Sequence, residues 1–470
     1  MPKYDLVIVG GGAGGFSAAT KSWELGAKAV IINGGLPLGG TCVNVGCVPT
    51  KVLLEIASEY YQPQHIRFKA AEPVMCSHPD PLDFKTAMSE KDGLVEALRE
   101  SNYARIAREL GIPLIEGKAK FVSPRQVEVN GETLEADKFI IATGSRPKIL
   151  PFKGIDSVGY ITNREVLSLT RLPKSMIVIG AGPVGLEFAQ MFARFGTKVT
   201  MLEKESQVLP LAEREIADEL QRCLEEEGIE FHTGVNVEEV REEGGLKVVE
   251  AGAGEARVTV KGEELLLATG VAPNSDNLGL EAAGVRVDAR GFIEANEEML
   301  TSASHIWAAG DVVGRTFLET VAAKEGYTAA SNALEGAKKT IDYGSVPKAV
   351  FTDPQVASVG LTEEEYMRLY NTCSCRTVEI AVVPKARAIR ETRGLVKMTV
   401  HPESQVIAGV HIVAPMAADL IHEATLAVKF KLTLDDLTDT VHVFPTLSEA
   451  LKLVAQSFKR DITKMSCCVE

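Results

Sequence analysis

The chain has 470 residues, too many for one hydrophobic core, so several domains are expected. With 45% hydrophobic and 24% charged residues it reads as an ordinary globular protein, which excludes a largely disordered chain. A formal charge of −14 argues against a nucleic-acid surface, which draws on clustered Lys and Arg.

From the N-terminus, the apolar run Leu6 to Val9 passes into Gly10, Gly12 and Gly15 without a basic leader or cleavage site. Export is not expected, and no apolar run approaches the ~18 residues that would span a bilayer, so a membrane role is not expected either. The eight cysteines, at 42, 47, 76, 223, 373, 375, 467 and 468, are too sparse for a disulfide scaffold. A cytoplasmic enzyme is the expectation.

The glycine run reads as strand, tight turn and helix, and a second strand is expected over Lys28 to Ile32, followed by Asn33. Glycines at this spacing let a backbone approach a pyrophosphate, while the next helix offers N–H donors and a positive dipole end. Asn33 is a neutral amide where a ribose-binding acid is expected.

Gly39-Gly40-Thr41-Cys42-Val43-Asn44-Val45-Gly46-Cys47-Val48-Pro49-Thr50-Lys51 is the most specific stretch. Cysteines five apart share no face of a regular helix, so pairing them requires a distorted turn, for which Gly46 and Pro49 are the candidates. A helix starting near Pro49 lowers a neighbouring thiol pKa.

The first pattern then repeats. Val178-Ile179 leads to Gly180, Gly182 and Gly185, and a second strand over Lys198 to Leu202 ends at Glu203. Glu203 suits a ribose diol and would repel a 2′-phosphate, which favours NADH, although Lys204 beside it offers a phosphate partner. Phe139 to Gly144 and Leu265 to Gly270 are likewise echoes, buried strands ending in Ala-Thr-Gly, with Thr143, Gly144 and Gly270 as candidate cofactor contacts. A helix is expected over Glu213 to Gly228 and alternating strands over Val248 to Val260. From Val346 the texture becomes α+β, with strands around Thr377 to Val383, Leu395 to Val400 and Val406 to Ile412, and helices after Ala417 and Ser448.

These motifs resemble the pyridine nucleotide-disulfide oxidoreductase family, over essentially the whole chain. The resemblance includes Ile306-Trp307-Ala308-Ala309-Gly310-Asp311, where the family's aspartate binds the ribityl chain of FAD. It implies an α/β fold with two Rossmann-like dinucleotide-binding domains and a C-terminal α+β dimerisation domain. The expected boundaries are 1–150 with 275–345 for FAD, 151–274 for NAD(P), and 346–470 for the homodimer interface. It also implies FAD with NADPH or NADH as cofactors, Gly40 and Thr41 at the cofactor, Lys51 and Glu187 near flavin and nicotinamide, and an active-site tyrosine at Tyr160.

Disulfide reductases of the family carry a His before a Pro near the C-terminus, but here His442-Val443-Phe444-Pro445 places Phe444 at that position, with Glu449 retained. Phe cannot transfer a proton, and His442 lies two residues too early. The tail ends Cys467-Cys468-Val469-Glu470, adjacent thiols suited to a soft metal. Together these features resemble the mercuric reductase branch. That implies reduction of Hg(II), arriving as a thiolate complex, with Cys42, Cys47, Cys467 and Cys468 as its ligands. Two departures from that branch are expected: Phe444, where a Tyr is common, and no extra N-terminal metal-binding domain ahead of the first nucleotide unit. Cys76, Cys223, Cys373 and Cys375 are expected to be incidental thiols.

Overall fold

The computed structural model describes residues 3–68, 82–254 and 256–464. In its first sheet the strand Lys3–Val9 lies between Ala29–Asn33 and Glu132–Ile141, all parallel, with Leu114–Glu116 outside Ala29–Asn33. Leu6, Val7, Ile8 and Val9 are all buried, a continuous apolar run that fits a strand covered on both faces. The hairpin Lys120–Ser123 and Gln126–Val129 extends one end of Glu132–Ile141, while Ile306–Ala308 pairs with the other end. The chain thus returns to its first sheet after a long excursion.

The excursion carries a second parallel sheet, ordered Glu230–His232, Lys198–Leu202, Ser175–Ile179 and Glu264–Leu267. The alternating stretch 248–260 resolves into parts of two strands of an antiparallel meander, Asn236–Glu243, Leu246–Ala253 and Ala256–Gly262. Where the chain leaves and re-enters the first unit, Ser145–Pro147 and Val271–Pro273 run antiparallel side by side.

The C-terminal part is a five-stranded antiparallel sheet, ordered Lys348–Val350, Gln355–Gly360, Ile407–Ala414, Leu395–Val400 and Ser374–Glu379. The strand expected over 377–383 starts earlier and stops at Glu379. Ile380 and Val383 turn into the core as a short helical turn, and Pro384 starts the helix Pro384–Ala388. Helix Ala417–Lys429 covers the sheet beside Gln355–Gly360, and Glu449–Gln456 packs at its other end. Among the described residues no helix is long and apolar enough to cross a membrane.

Two packing features position the site. Helix Cys47–Tyr61 buries Leu53 and Ala57 in one apolar cluster with Phe188 and Phe192 of helix Pro183–Arg194 and with Val350, Val356 and Val413 of the C-terminal sheet. The helix carrying Cys47 is therefore wedged among all three parts. Helix Ala13–Glu24 also lies directly against Glu319–Glu335, where a Cβ on Gly326 would come 1.9 Å from Gly14 O. That approach requires glycine, and it sets the N-terminal end of the second helix, Glu319, over the dithiol.

Candidate functional site

The two glycine turns are near copies. Gly10 and Gly180 have φ of +118° and +104°, and a Cβ on either would strike the carbonyl of Ala142 or Ala268 at 2.2 or 2.4 Å. Gly15 and Gly185 approach the oxygens of Gly10 and Gly180 so closely that a Cβ would lie 1.9 or 2.0 Å away. Helices Ala13–Glu24 and Pro183–Arg194 start immediately after the turns, leaving first-turn N–H groups free for an anion. Gly12 and Gly182 differ. Gly12 forms a bridge with Gly39 and abuts Gly40, whereas nothing lies within 4 Å of a Cβ on Gly182.

At the second strand end, Glu203 is buried and accepts hydrogen bonds from Ala181 N (2.6 Å) and Glu205 N (2.9 Å), so its carboxylate also ties down the glycine turn. Lys204 is exposed. At the first strand end, Asn33 closes the strand itself and donates to Leu36 O and to Glu116 Oε2, both at 3.2 Å. An acid therefore does lie at this strand end, on the neighbouring strand, where Glu116 pairs in register with Asn33. Sequence reading missed Glu116 because no local spacing links it to the glycine turn.

Further along the same edge, the Thr143 hydroxyl is buried without a partner, in a position that calls for a bound group. Asp311 opens the turn Asp311–Val313 and accepts from Ser145 Oγ at 2.6 Å, while burial raises its carboxyl above the ordinary range. Gly144 and Gly270 take positive φ of 68° and 90° where the two units join. Glycine cradle, carboxylates and orphaned hydroxyl together fit a dinucleotide bearing a polyol chain.

The dithiol sits at a break between two helices. Cys42 lies in the short helix Gly40–Val45, whose first turn exposes Thr41, and Cys47 is the first residue of Cys47–Tyr61. Gly46 alone makes the break, with φ −134° and ψ −119°. Pro49, expected to share in it, is buried within the first turn of the second helix. Asn44 Nδ2 clamps the entry by lying within hydrogen-bond reach of Pro37 O, Leu38 O and Gly40 O, nearest to the last at 2.8 Å.

Both cysteines are thiols in this structure, and their sulfurs and a Glu319 oxygen lie within 4.8 Å of one another. The Cys42 thiol donates to Glu319 Oε2 at 2.8 Å, and the Tyr103 hydroxyl donates to Glu319 Oε1 at 3.2 Å. Hydrogen bonding to Cys47, reinforced by burial and by Glu319, raises the Cys42 pKa. The same Cys42 hydrogen bond, with help from the Lys51 charge, lowers that of Cys47. Of the two, Cys42 is thus the one that keeps its proton and Cys47 the one that gives it up more readily.

Lys51, one turn along, pairs with the buried carboxylate of Glu187 at 2.7 Å and sits 4.5 Å over the Phe351 ring. Glu187 also accepts from Phe351 N at 2.9 Å, joining the dithiol helix to the second unit and the C-terminal sheet. Tyr160 is half-buried on the apolar core of the second unit, and three residues on, Asn163 donates to Val45 O at 2.7 Å, bringing this segment to the dithiol turn. The ring nitrogens of His442 lie 2.9 Å from Thr440 O and 2.7 Å from Glu423 Oε1. Phe444 is about half exposed, and Glu449 accepts from Thr446 N. Cys467 and Cys468 lie outside the described residues, as does Cys76.

Comparison with known proteins agrees with this geometry. The family model for pyridine nucleotide-disulphide oxidoreductases matches residues 4–337, and the model for that family's dimerisation domain matches 346–455. A mercuric reductase of Lysinibacillus sphaericus is 39% identical over 466 residues, 99% of this chain and 84% of the relative. A dihydrolipoyl dehydrogenase of Thermus scotoductus is 38% identical over 469 residues, 98% of each chain. Among solved structures, the Cu(II) complex of the HOCl-induced flavoprotein disulfide reductase RclA from Escherichia coli superposes with a TM-score of 0.87 at 29% identity, covering 98% of this chain and 100% of that one. The chain belongs to the pyridine nucleotide-disulphide oxidoreductase family, flavoprotein enzymes that use FAD and NAD(P)H.

Proposed function

We propose that this enzyme reduces Hg(II) to Hg(0) at the expense of NAD(P)H, with Cys42 and Cys47 as the thiols that hold the metal. The observation that carries the reading is the chemistry of position 444. A disulfide substrate leaves as a thiolate that needs a proton, and Phe444 offers none while His442 is held by Glu423 and Thr440. A metal ion that takes two electrons and departs as a neutral atom needs no such acid. Two thiols and a carboxylate within 4.8 Å form a cup for a soft ion.

In this scheme Gly10, Gly12 and Gly15 with Glu116, Asp311 and Thr143 would hold FAD, and Gly180, Gly182, Gly185 and Glu203 would hold the nicotinamide nucleotide. Bound FAD supplies the two-electron relay between nicotinamide and dithiol. Hg(II) held by two carrier thiolates would pass to Cys47 and then Cys42 by successive ligand exchange: each new Hg–S bond displaces one carrier thiolate, and a proton that the attacking cysteine gives up goes to that thiolate or to solvent. Lys51 and Glu187 keep the charge beside Cys47 fixed. Cys467 and Cys468 deliver the ion, and Tyr160 contributes from the neighbouring segment. The exposed apolar Leu426, Phe430, Val441, Val443 and Phe444 form the kind of surface a second copy covers, in keeping with the dimerisation-domain match.

One observation favours a disulfide-reductase reading instead: Glu319 lies on Cys42, where it could take the thiol proton and return it to a leaving thiolate. Turnover separates the two readings. NAD(P)H oxidation is measured with Hg(II) in excess thiol, with lipoamide and with oxidised glutathione. The proposal expects one Hg(0) released per NAD(P)H and little turnover of either disulfide. Turnover of a disulfide without Hg(0) would reverse the assignment. Cys42→Ala and Cys47→Ala should each retain FAD and lose Hg(II)-dependent turnover by ~1,000-fold or more, since each removes a group that acts only at the reacting centre.

A further inference from the structure

A second set of soft donors lies on the C-terminal domain and shares no residue with the dithiol site. Cys373 follows Asn371, which ends helix Glu363–Tyr370 in a left-handed conformation, and Cys375 lies in the strand Ser374–Glu379. The turn folds the chain back so that both sulfurs and a carboxylate oxygen of Glu363, the first residue of that helix, lie within 4.8 Å of one another. Cys373 Sγ is 3.3 Å from Glu363 Oε1, and Cys375 Sγ is 3.6 Å from the Thr399 hydroxyl. Both cysteines are half-buried, accessible enough for an ion to enter and shielded enough to hold it.

The surroundings are anionic. The buried Lys397 ammonium is shared by Glu213 (3.1 Å), Glu215 (2.6 Å) and Glu363 (2.7 Å), so one cation faces three carboxylates. Burial lowers the pKa of His411, 3.9 Å from Glu213, and so disfavours a second cation there. Burial, with Glu363 beside it, pushes the Cys375 thiol up to about 12, and burial also raises Cys373. An additional anion is unwelcome here, whereas exchange of two thiol protons for one divalent cation leaves the local charge unchanged.

We propose that Cys373, Cys375 and Glu363 form a second metal site that takes a soft divalent cation as a bis-thiolate with one carboxylate donor. On binding, two S–H bonds break, two metal–sulfur bonds form, and two protons pass to solvent, with no change of oxidation state. Sulfur donors select thiophilic ions, and the single oxygen donor does not make a cage for Mg²⁺ or Ca²⁺. The site is independent of which substrate the dithiol reduces.

The test uses the FAD-loaded enzyme with Cys42 and Cys47 oxidised to the disulfide, so that they do not compete, and Cd(II) as the probe ion. Cd(II) is titrated, N-ethylmaleimide is added, and the cysteine-containing peptides are mapped by mass spectrometry. Cys373 and Cys375 should be protected together, and a Cys373→Ser/Cys375→Ser enzyme should bind one Cd(II) fewer per chain while keeping its NAD(P)H-dependent turnover. Glu363→Gln should weaken Cd(II) binding about 10- to 100-fold. Equal alkylation of the two cysteines with and without Cd(II) in the unmutated enzyme would overturn the site, as would unchanged stoichiometry in the double variant. Unchanged affinity in Glu363→Gln would overturn the three-donor form.

Discussion

The two nucleotide-binding units use one turn geometry in two settings. In the first, Gly12 is bridged to Gly39 and covered by Gly40, so the phosphate turn lies beneath the loop that leads to Cys42. In the second, Gly182 faces open space and the strand-end acid Glu203 belongs to the same unit. A covered turn suits a group that stays for the life of the protein, and an open one suits a nucleotide that exchanges every cycle. Near-identical backbone motifs are thus expected to differ in how long they hold a nucleotide, because of what packs on them.

The largest expected effect breaks the covered turn. Gly15→Ala drives a Cβ into Gly10 O, at a cost of ~3 kcal/mol or more, and should yield protein nearly free of flavin. Gly182→Ala should keep full flavin absorbance per chain and raise only the KM for NAD(P)H. Equal flavin loss in the two variants would erase the distinction between the units.

Next in size is Glu203→Ala, which leaves Ala181 N and Glu205 N unpaired and removes the ribose acceptor. A fall in kcat/KM for NADH of about 10- to 100-fold with unchanged flavin content is expected. In the unmutated enzyme NADH should be a competent donor, and a strong preference for NADPH would show that Lys204 overrides the carboxylate.

A smaller effect concerns pH. A thiolate alkylates and a thiol does not, so the lowered pKa of Cys47 should bring its reaction with iodoacetamide to half-maximal rate below the ordinary thiol range in the reduced protein. Lys51→Met removes the nearby positive charge and leaves the Glu187 carboxylate without its counter-ion, both of which favour the neutral thiol. The midpoint should rise by about one pH unit. A midpoint that stays put would show that the Cys42 hydrogen bond alone sets it. The smallest effect is at the first strand end, where Glu116→Gln should weaken FAD retention several-fold, by ~1 kcal/mol, as read from the dissociation constant of flavin in the refolded protein. No change would leave Asn33 as the sole polar contact there.

What could be read from the sequence follows from how locally each feature is encoded. Gly10, Gly12 and Gly15 sit within six residues of a strand, as do Gly180, Gly182 and Gly185, and their steric requirement is written in the spacing. The dithiol motif was legible for the same reason, and Lys198–Leu202 and Leu395–Val400 were placed to the residue by their apolar runs. Glu319 reaches Cys42 across 277 positions and Glu116 reaches Asn33 across 83, and neither separation leaves a periodic trace. Cys373 and Cys375 read as incidental thiols because Glu363 comes beside them only after a left-handed turn at Asn371 reverses the chain.

The wedge made by helix Cys47–Tyr61 bears on how the protein comes apart. Leu53, Phe188 and Val350 belong to one apolar cluster although they come from three different sheets' neighbourhoods, so no unit can melt without exposing part of the other two. Calorimetry should therefore record a single cooperative transition in place of three domain transitions. Truncating Leu53 to Ala, expected to cost ~2–5 kcal/mol, should lower that one transition as a whole. A chain of three recognisable modules would then behave, towards heat, as one.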